Sequence, residues 1–206
     1  MTDMRTFRQA VGSWAAGDTG AVPHELAARV PVRTAVLVEG LSDVAAVEAV
    51  AATHGRDLAT EGVCVLSMDG AMNIGRYALF LGPTGLGLDL TGLCDERERE
   101  WFSRGLERAG VPGSRRFFVC SADLEDELIR ALGVTRVREL VEREGELRPL
   151  LTFLNQPAQR GRSPQEQLRR FLGTKKGRKI RYGHVLGEAL GTDRVPAPLS
   201  GLLAGL

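Results

Sequence analysis

The sequence predicts an α/β fold: a mainly parallel four-stranded sheet with helices on both faces and helical extensions at each end. Three observations predict it. Apolar runs at 33–38, 62–67, 86–94 and 116–120 alternate with longer stretches of helical periodicity across residues 33–133. These runs are continuously apolar rather than alternating, the pattern of strands buried on both faces and therefore paired in parallel. Carboxylates follow the runs at Glu39, Asp95 and Asp123, at the edge where open α/β sheets place their chemistry.

Element by element, residues 5–30 carry two short helical patterns broken by Gly17-Asp18-Thr19-Gly20, with Pro23 opening the second. Pro31 leads into the first strand. Asp43 caps a helix over 43–54, whose Val44, Val47 and Ala51 share one face before Gly55 stops it. The second strand ends at the turn Asp69-Gly70, and a helix over 72–81 ends at Gly82-Pro83. The third strand is followed by a charged helix over 98–109. The fourth is followed by a helix over 123–132 with acids in its first turn, where they suit the helix dipole. Helices over 136–144, 163–172 and 179–190 follow, and Pro196 and Pro198 precede a short apolar tail. The chain divides into a helical N-terminal extension (1–32), an α/β core (33–133) and a basic helical C-terminal extension (134–206).

A chain of 206 residues suits one α/β domain with a helical appendage. With aromatics at 5%, Leu, Val and Ala must build most of the core. The net charge of +1 neither demands nor excludes a polyanionic partner. Its distribution says more, because residues 160–181 are strongly basic while acids gather at 95–100 and 123–127. Cys64, Cys94 and Cys120 fit no zinc spacing and, being odd in number, no disulfide framework, so buried free thiols are expected. The start Met1-Thr2-Asp3-Met4-Arg5 shows no secretory pattern, and no apolar run is long enough to span a bilayer. A cytoplasmic location without membrane association is the expectation.

Glu39 ends a dry strand, where an ionised group calls for a cation or a donor. In a parallel sheet Glu39 and Asp43, Asp95 and Glu96, and Asp123 and Glu125 share one edge. Such oxygen ligands suit a hard divalent cation, and two cations near each other serve phosphoryl transfer. The bland reading makes Asp43 and Asp123 helix caps, and Glu98, Glu100 and Asp126 solvated helix faces. His24, His54 and His184 stand apart, and no Ser-His-Asp or Cys-His set is evident.

The segments Val36-Leu37-Val38-Glu39-Gly40-Leu41-Ser42-Asp43, residues 63–70, Gly92-Leu93-Cys94-Asp95 and Leu124-Glu125-Asp126-Glu127-Leu128 together resemble the Toprim domain. The likeness is greatest to the Toprim nuclease part of OLD-family (overcoming lysogenization defect) endonucleases. It implies a Toprim-like, Rossmann-like fold over residues 33–133 and divalent-metal-dependent endonuclease chemistry on nucleic-acid phosphodiesters. It further implies Mg²⁺ or Mn²⁺ held by Glu39, Asp43, Asp95 and Glu125, with Glu39 and Asp95 taking part in catalysis. A lysine on a late helix reaches the site in this family, and Lys179 is the best match, with Lys176 second. Two departures stand out. Where the family commonly carries Asp-x-Asp, this chain has Asp95-Glu96-Arg97. One cation is therefore expected and a second is open; Glu96 or Glu98 could replace the missing acid, though neither sits at the expected spacing. Full-length OLD nucleases also carry an ATPase, whereas this chain has no Gly-x-x-x-x-Gly-Lys-[Ser/Thr] loop. A stand-alone Toprim protein is expected, with any nucleotide hydrolysis supplied by a separate ATPase.

Arg169, Arg170, Lys175, Lys176, Arg178 and Arg181 are the expected nucleic-acid contacts, since Lys and Arg supply most non-specific affinity for phosphates. DNA is expected ahead of RNA, and a homodimer is a candidate assembly. The leading function is a metal-dependent nuclease that uses water rather than a tyrosine as nucleophile. The alternative is a catalytically degenerate Toprim module, disabled by Arg97, that binds nucleic acid or an ATPase without cleaving. Small-molecule phosphate chemistry is a third class.

Overall fold

The computed structural model describes residues 4–18, 25, 27–111 and 117–206. In chain order these form α1 (Met4–Ala15), β1 (Thr34–Val38), α2 (Leu41–Thr53), β2 (Val63–Ser67), α3 (Ile74–Leu81), β3 (Asp89–Asp95), α4 (Arg99–Arg108) and β4 (Phe117–Cys120). Six further helices follow: α5 (Leu124–Leu132), α6 (Val134–Arg143), α7 (Leu147–Leu154), α8 (Pro164–Leu172), α9 (Lys176–Ala189) and α10 (Ala197–Ala204). The strands form one parallel sheet in the order β2-β1-β3-β4.

The period-2 geometry of the strands sorts their side chains into two cores. Ala35, Leu37, Cys64, Leu66, Leu90 and Cys94 face one, which is closed by Phe7 and Val11 of α1, Ile74 and Leu81 of α3, and Phe102 and Leu106 of α4. Val36, Val38, Val63, Val65, Leu93 and Cys120 face the other. That second core also takes in Val47 of α2, Leu128 of α5, Val141 of α6, Leu150 of α7, Phe171 of α8, Leu186 of α9 and Leu199 of α10. Residues 134–206 thus complete the central core rather than trailing from it.

Several boundaries differ from the sequence reading for physical reasons. The helix expected at Asp43 starts at Leu41, because Gly40 is the N-cap and the Asp43 carboxylate reaches back to accept its N–H at 2.9 Å. The third strand starts at Asp89, because the Leu86 and Gly87 N–H groups close a turn onto the Phe80 and Gly82 carbonyls. A 3-10 turn, Glu96–Glu98, precedes α4. Helix α9 begins at Lys176, earlier than expected. Two helices not expected from the sequence carry a proline in the first turn, Pro149 in α7 and Pro198 in α10. First-turn N–H groups have no intrahelical partner, so proline is tolerated there. The helix expected to open at Pro23, and His24 with it, lie outside the described residues. All three cysteines are free and buried, as expected. No helix among the described residues is long and apolar enough to cross a membrane.

Helix α9 is held by two devices. Gly183 and Gly187 lie against the Ser42 and Ala46 carbonyls of α2, an approach that a larger residue would block. In its first turn Arg178 is buried. Its guanidinium donates to both Glu146 oxygens at 2.9–3.2 Å and lies 4.1 Å from the Phe171 ring centroid. Arg181 reaches Glu146 at 2.8 Å and Glu144 at 3.4 Å. Arg178 holds the Glu146 carboxyl below its ordinary pKa. Glu146→Ala strands a buried guanidinium, which typically destabilises by about 3–5 kcal/mol. The expected result in urea unfolding is a large fall in midpoint, with a smaller fall for Arg178→Met, which removes the charge as well.

Candidate metal centre and adjoining groove

The carboxyl edge of the sheet brings the acids together. β1 delivers Glu39, whose backbone carbonyl is fixed by the Gly70 N–H at 3.0 Å. β3 delivers Asp95, and the 3-10 turn after it swings Glu98 back, so that oxygens of Glu39, Asp95 and Glu98 lie within 4.8 Å of one another. Asp43, Asp123 and Glu125 line the same cleft, together with Lys179. Lys179 Nζ lies 3.2 Å from Glu125 Oε1. The cleft is small, about 20 Å³, room for roughly one water-sized particle.

Of the expected ligands, Glu39 and Asp95 meet each other, while Asp43 and Glu125 sit beside them around the Lys179 ammonium. Of the two candidates for the missing acid, Glu98, otherwise read as a solvated helix residue, joins the cluster, whereas Glu96, like Arg97, is exposed and absent from the cleft wall. The tight turn is the reason: a 3-10 segment points Glu98 to where an extended chain would have pointed residue 97. Arg97 therefore does not stand between the acids. Tyr77 and Tyr182 are buried and also absent from the cleft wall.

The crowding is visible in the acids' proton affinities. Burial, with Glu98, Asp123, Glu39 and Asp43 nearby, pushes Asp95 up to about 8. Burial and the Glu125 charge push Asp43 up to about 7, against the opposing pull of the Gly40 N–H and Lys179. Glu98 is raised by burial and Glu39. Glu125 is raised by burial in spite of its ion pair. Burial works to lower Lys179, but Glu125, Asp43 and Glu39 outweigh it and hold the ammonium more firmly charged than usual. Cys94, also lining the cleft, is pushed up to about 12 by burial and Asp95, which keeps its thiol protonated.

These residues fit a hard divalent cation. The converging donors are all carboxylate oxygens, and Glu98 Oε2 is buried without a hydrogen-bond partner. A pH dependence follows. Asp95 and Asp43 bind protons more tightly folded than unfolded, so below about pH 4 both states are protonated and nothing is lost. As pH rises from about 4 the unfolded acids ionise while the folded ones keep their protons, so stability falls until the folded groups ionise among like charges at 7–8. The expected result is a Tm in EDTA that declines between pH 5.5 and 8.5, each kcal/mol lost lowering it by roughly 2–4 °C. Mg²⁺ or Mn²⁺ should cancel the decline, with a Tm gain at pH 8.5 exceeding that at pH 5.5. Scanning fluorimetry across the series measures both.

Next to the cleft lies a groove of about 410 Å³ that shares Asp123, Glu125 and Lys179 with it and adds Arg162, Arg169 and Arg170. Arg169 is paired with Asp123, donating from Nε at 2.7 Å. Lys175 and Lys176 are exposed near the start of α9. Arg178 and Arg181, expected on this surface, are committed to Glu144 and Glu146 as described above, because the sequence does not reveal which face of α9 packs on the loop before α7. Arg162 carries no expected role in the sequence; its only signal was membership of the basic run.

A four-stranded parallel sheet with acids converging at its carboxyl edge defines a Toprim-type α/β domain. The family described as Overcoming lysogenization defect protein-like, TOPRIM domain, matches residues 32–96, a span that includes Glu39, Asp43 and Asp95. The match covers about the first two thirds of the α/β core and makes this part of the chain similar to that family. Its fold is that of the C-terminal region of the Burkholderia pseudomallei OLD protein, at 23% identity and a TM-score of 0.62 over 84% of this chain and 96% of that one. The C-terminal region of the Xanthomonas campestris pv. campestris OLD protein is similar at 24% identity and a TM-score of 0.62, over 84% and 91% of the two chains. No curated protein matches by sequence.

Proposed function

We propose that the protein is a divalent-metal-dependent nuclease that hydrolyses phosphodiesters of DNA. The observation that carries this reading is the convergence of Glu39, Asp95 and Glu98 within 4.8 Å beside a lysine and a cation-lined groove. Glu39, Asp95 and Glu98 would hold one Mg²⁺ or Mn²⁺, with Asp43 and Glu125 close by. When bound, such a cation activates water and offsets charge on a phosphate. The chain's own residues do the rest. The Asp43 carboxylate is fixed by the Gly40 N–H, so only part of it is free to face the site. Glu125 holds the Lys179 ammonium at the junction of cleft and groove. From there Lys179 meets a phosphate where negative charge develops. A position so near Glu125 and Asp43 already supplies one positive charge, which favours a single cation over two.

Nicking of supercoiled plasmid with Mg²⁺ and with Mn²⁺ tests the reading. Wild type is expected to nick only with cation, and Glu98→Gln to lose most of that activity while keeping the fold. Cation-independent nicking that survives in Glu98→Gln would indicate contamination. Salt-sensitive binding without nicking would instead identify a Toprim module that binds without cleaving.

A further inference from the structure

We infer that the groove beside the acid cleft is a second phosphate subsite, so that the ligand of this site is a polynucleotide strand with at least two consecutive phosphates. The inference rests on the nucleic-acid reading of the same site. Its basis is the distribution of unneutralised charge. Of the cations in the groove, Arg169 is paired with Asp123 and Lys179 with Glu125. Glu166 is turned back into its own helix cap, accepting from the Ser163 N–H at 2.9 Å and hydroxyl at 3.0 Å. Arg162 is oriented by one bond, its Nε donating to the Ala158 carbonyl at 3.0 Å, which leaves the end of its guanidinium free of a carboxylate. Arg170 makes no ion pair among the described residues. The groove therefore presents two guanidinium groups without an ion pair: Arg170, and Arg162, whose neighbour Glu166 is engaged by its own helix cap.

The neighbouring cleft has the opposite polarity, lined by six acids and one lysine. The two share Asp123, Glu125 and Lys179 as a common wall, so a strand passing from one to the other stays in contact throughout. One phosphate would lie at the cation held by the acids. The next along the strand would meet Arg162 and Arg170, whose planar forks suit phosphate oxygens. A mononucleotide fills only one of these positions. The bland reading, that Arg169 and Arg170 merely complement the C-terminal dipole of α8, accounts for neither Arg162 nor the shared wall.

The test is binding of fluorescein-labelled oligothymidylates to the full chain, read by anisotropy in Ca²⁺ over a range of salt. Affinity is expected to rise as the ligand grows from one internal phosphate to two, and the double variant Arg162→Ala/Arg170→Ala should lose that gain. For single strands the slope of log K against log salt should shrink by about 0.7 for each phosphate contact removed. Arg104→Ala, an exposed cation on the other side of the sheet, is the control for general charge. A matched oligouridylate series shows whether DNA or RNA supplies the strand. The inference is overturned if the double variant keeps the wild-type slope and gain, if Arg104→Ala lowers the slope equally, or if wild type binds no strand. Binding that behaves as expected in a protein that never nicks plasmid upholds the subsite and removes the nuclease reading; nicking with an unaltered double variant does the reverse.

Discussion

Asp95→Asn is expected to abolish cation-dependent cleavage and, in the same protein, to raise the Tm measured in EDTA at pH 8. The two effects have one cause. Asp95 is only partly exposed and is surrounded by Glu98, Asp123, Glu39 and Asp43, which is why its carboxyl holds a proton up to about 8. Asparagine has nearly the same shape but cannot ionise, so it relieves the repulsion on every neighbour and leaves the packing in place. The cation-free fold should gain most above pH 8, less at pH 5.5, where the unfolded chain already ionises Asp95, and little only near pH 4, where the group is protonated in both states. The same change removes a charged oxygen from the set that would hold the cation. Cations contribute several kcal/mol to charge stabilisation in phosphoryl transfer, so a loss of roughly 10³-fold in nicking rate is expected. The Tm gain on adding Mn²⁺ should shrink with it. Initial nicking rates and fluorimetry with and without Mn²⁺ measure both quantities. An unchanged Tm in EDTA with retained activity would remove Asp95 from the site.

The legibility of this site in the sequence divides along a physical line. Strand ends are local features. A continuous apolar run stopping at Glu39 or Asp95 fixes both the element and the edge at which the acid emerges, and the parallel register then brings them together. Glu98 was not legible in the same way. Its place depends on whether the backbone after β3 runs on extended or tightens into a 3-10 turn, and Glu96-Arg97-Glu98 carries no strong signal for either. The charge run at 160–181 was legible as composition, but its division was not. Arg162 and Arg170 line the groove while Arg178 is buried against Glu146 and Phe171, and that choice is made by the packing of α7, α8 and α9. Helix α10 was obscured by its prolines, whose cost disappears once they occupy the first turn.

Substituting alanine along α9 is expected to produce a graded series, with Gly183→Ala the most damaging, Gly187→Ala intermediate and Gly177→Ala harmless. A Cβ at Gly183 would lie 2.3 Å from the Ser42 carbonyl oxygen, a backbone atom that cannot swing aside. At Gly187 the nearest contacts are the Ala46 oxygen at 3.0 Å and the Ala49 Cβ at 3.1 Å, close enough to need a small shift. At Gly177 nothing lies within 4 Å. Overpacking of this kind typically costs about 1–3 kcal/mol, whereas Ala for Gly on an open helix position stabilises by up to about 1 kcal/mol. Urea unfolding of the series therefore separates helix propensity, which predicts a gain at all of these positions, from helix contact, which predicts opposite signs. The consequence for the site is directional. Lys179 stands one turn before Gly183 on the same helix face, and the Ser42 carbonyl that a Cβ at 183 strikes lies one residue before Asp43 of the acid cleft wall. Relief of the clash by lifting α9 from α2 draws the Lys179 ammonium away from Asp43 and Glu125. Cleavage by Gly183→Ala should accordingly fall more than by Gly187→Ala even at temperatures where both remain folded, while Gly177→Ala keeps the wild-type rate. Equal stability of the Gly183→Ala and Gly177→Ala variants would mean that α9 does not rest on the Ser42 carbonyl, and that some other contact sets the position of Lys179.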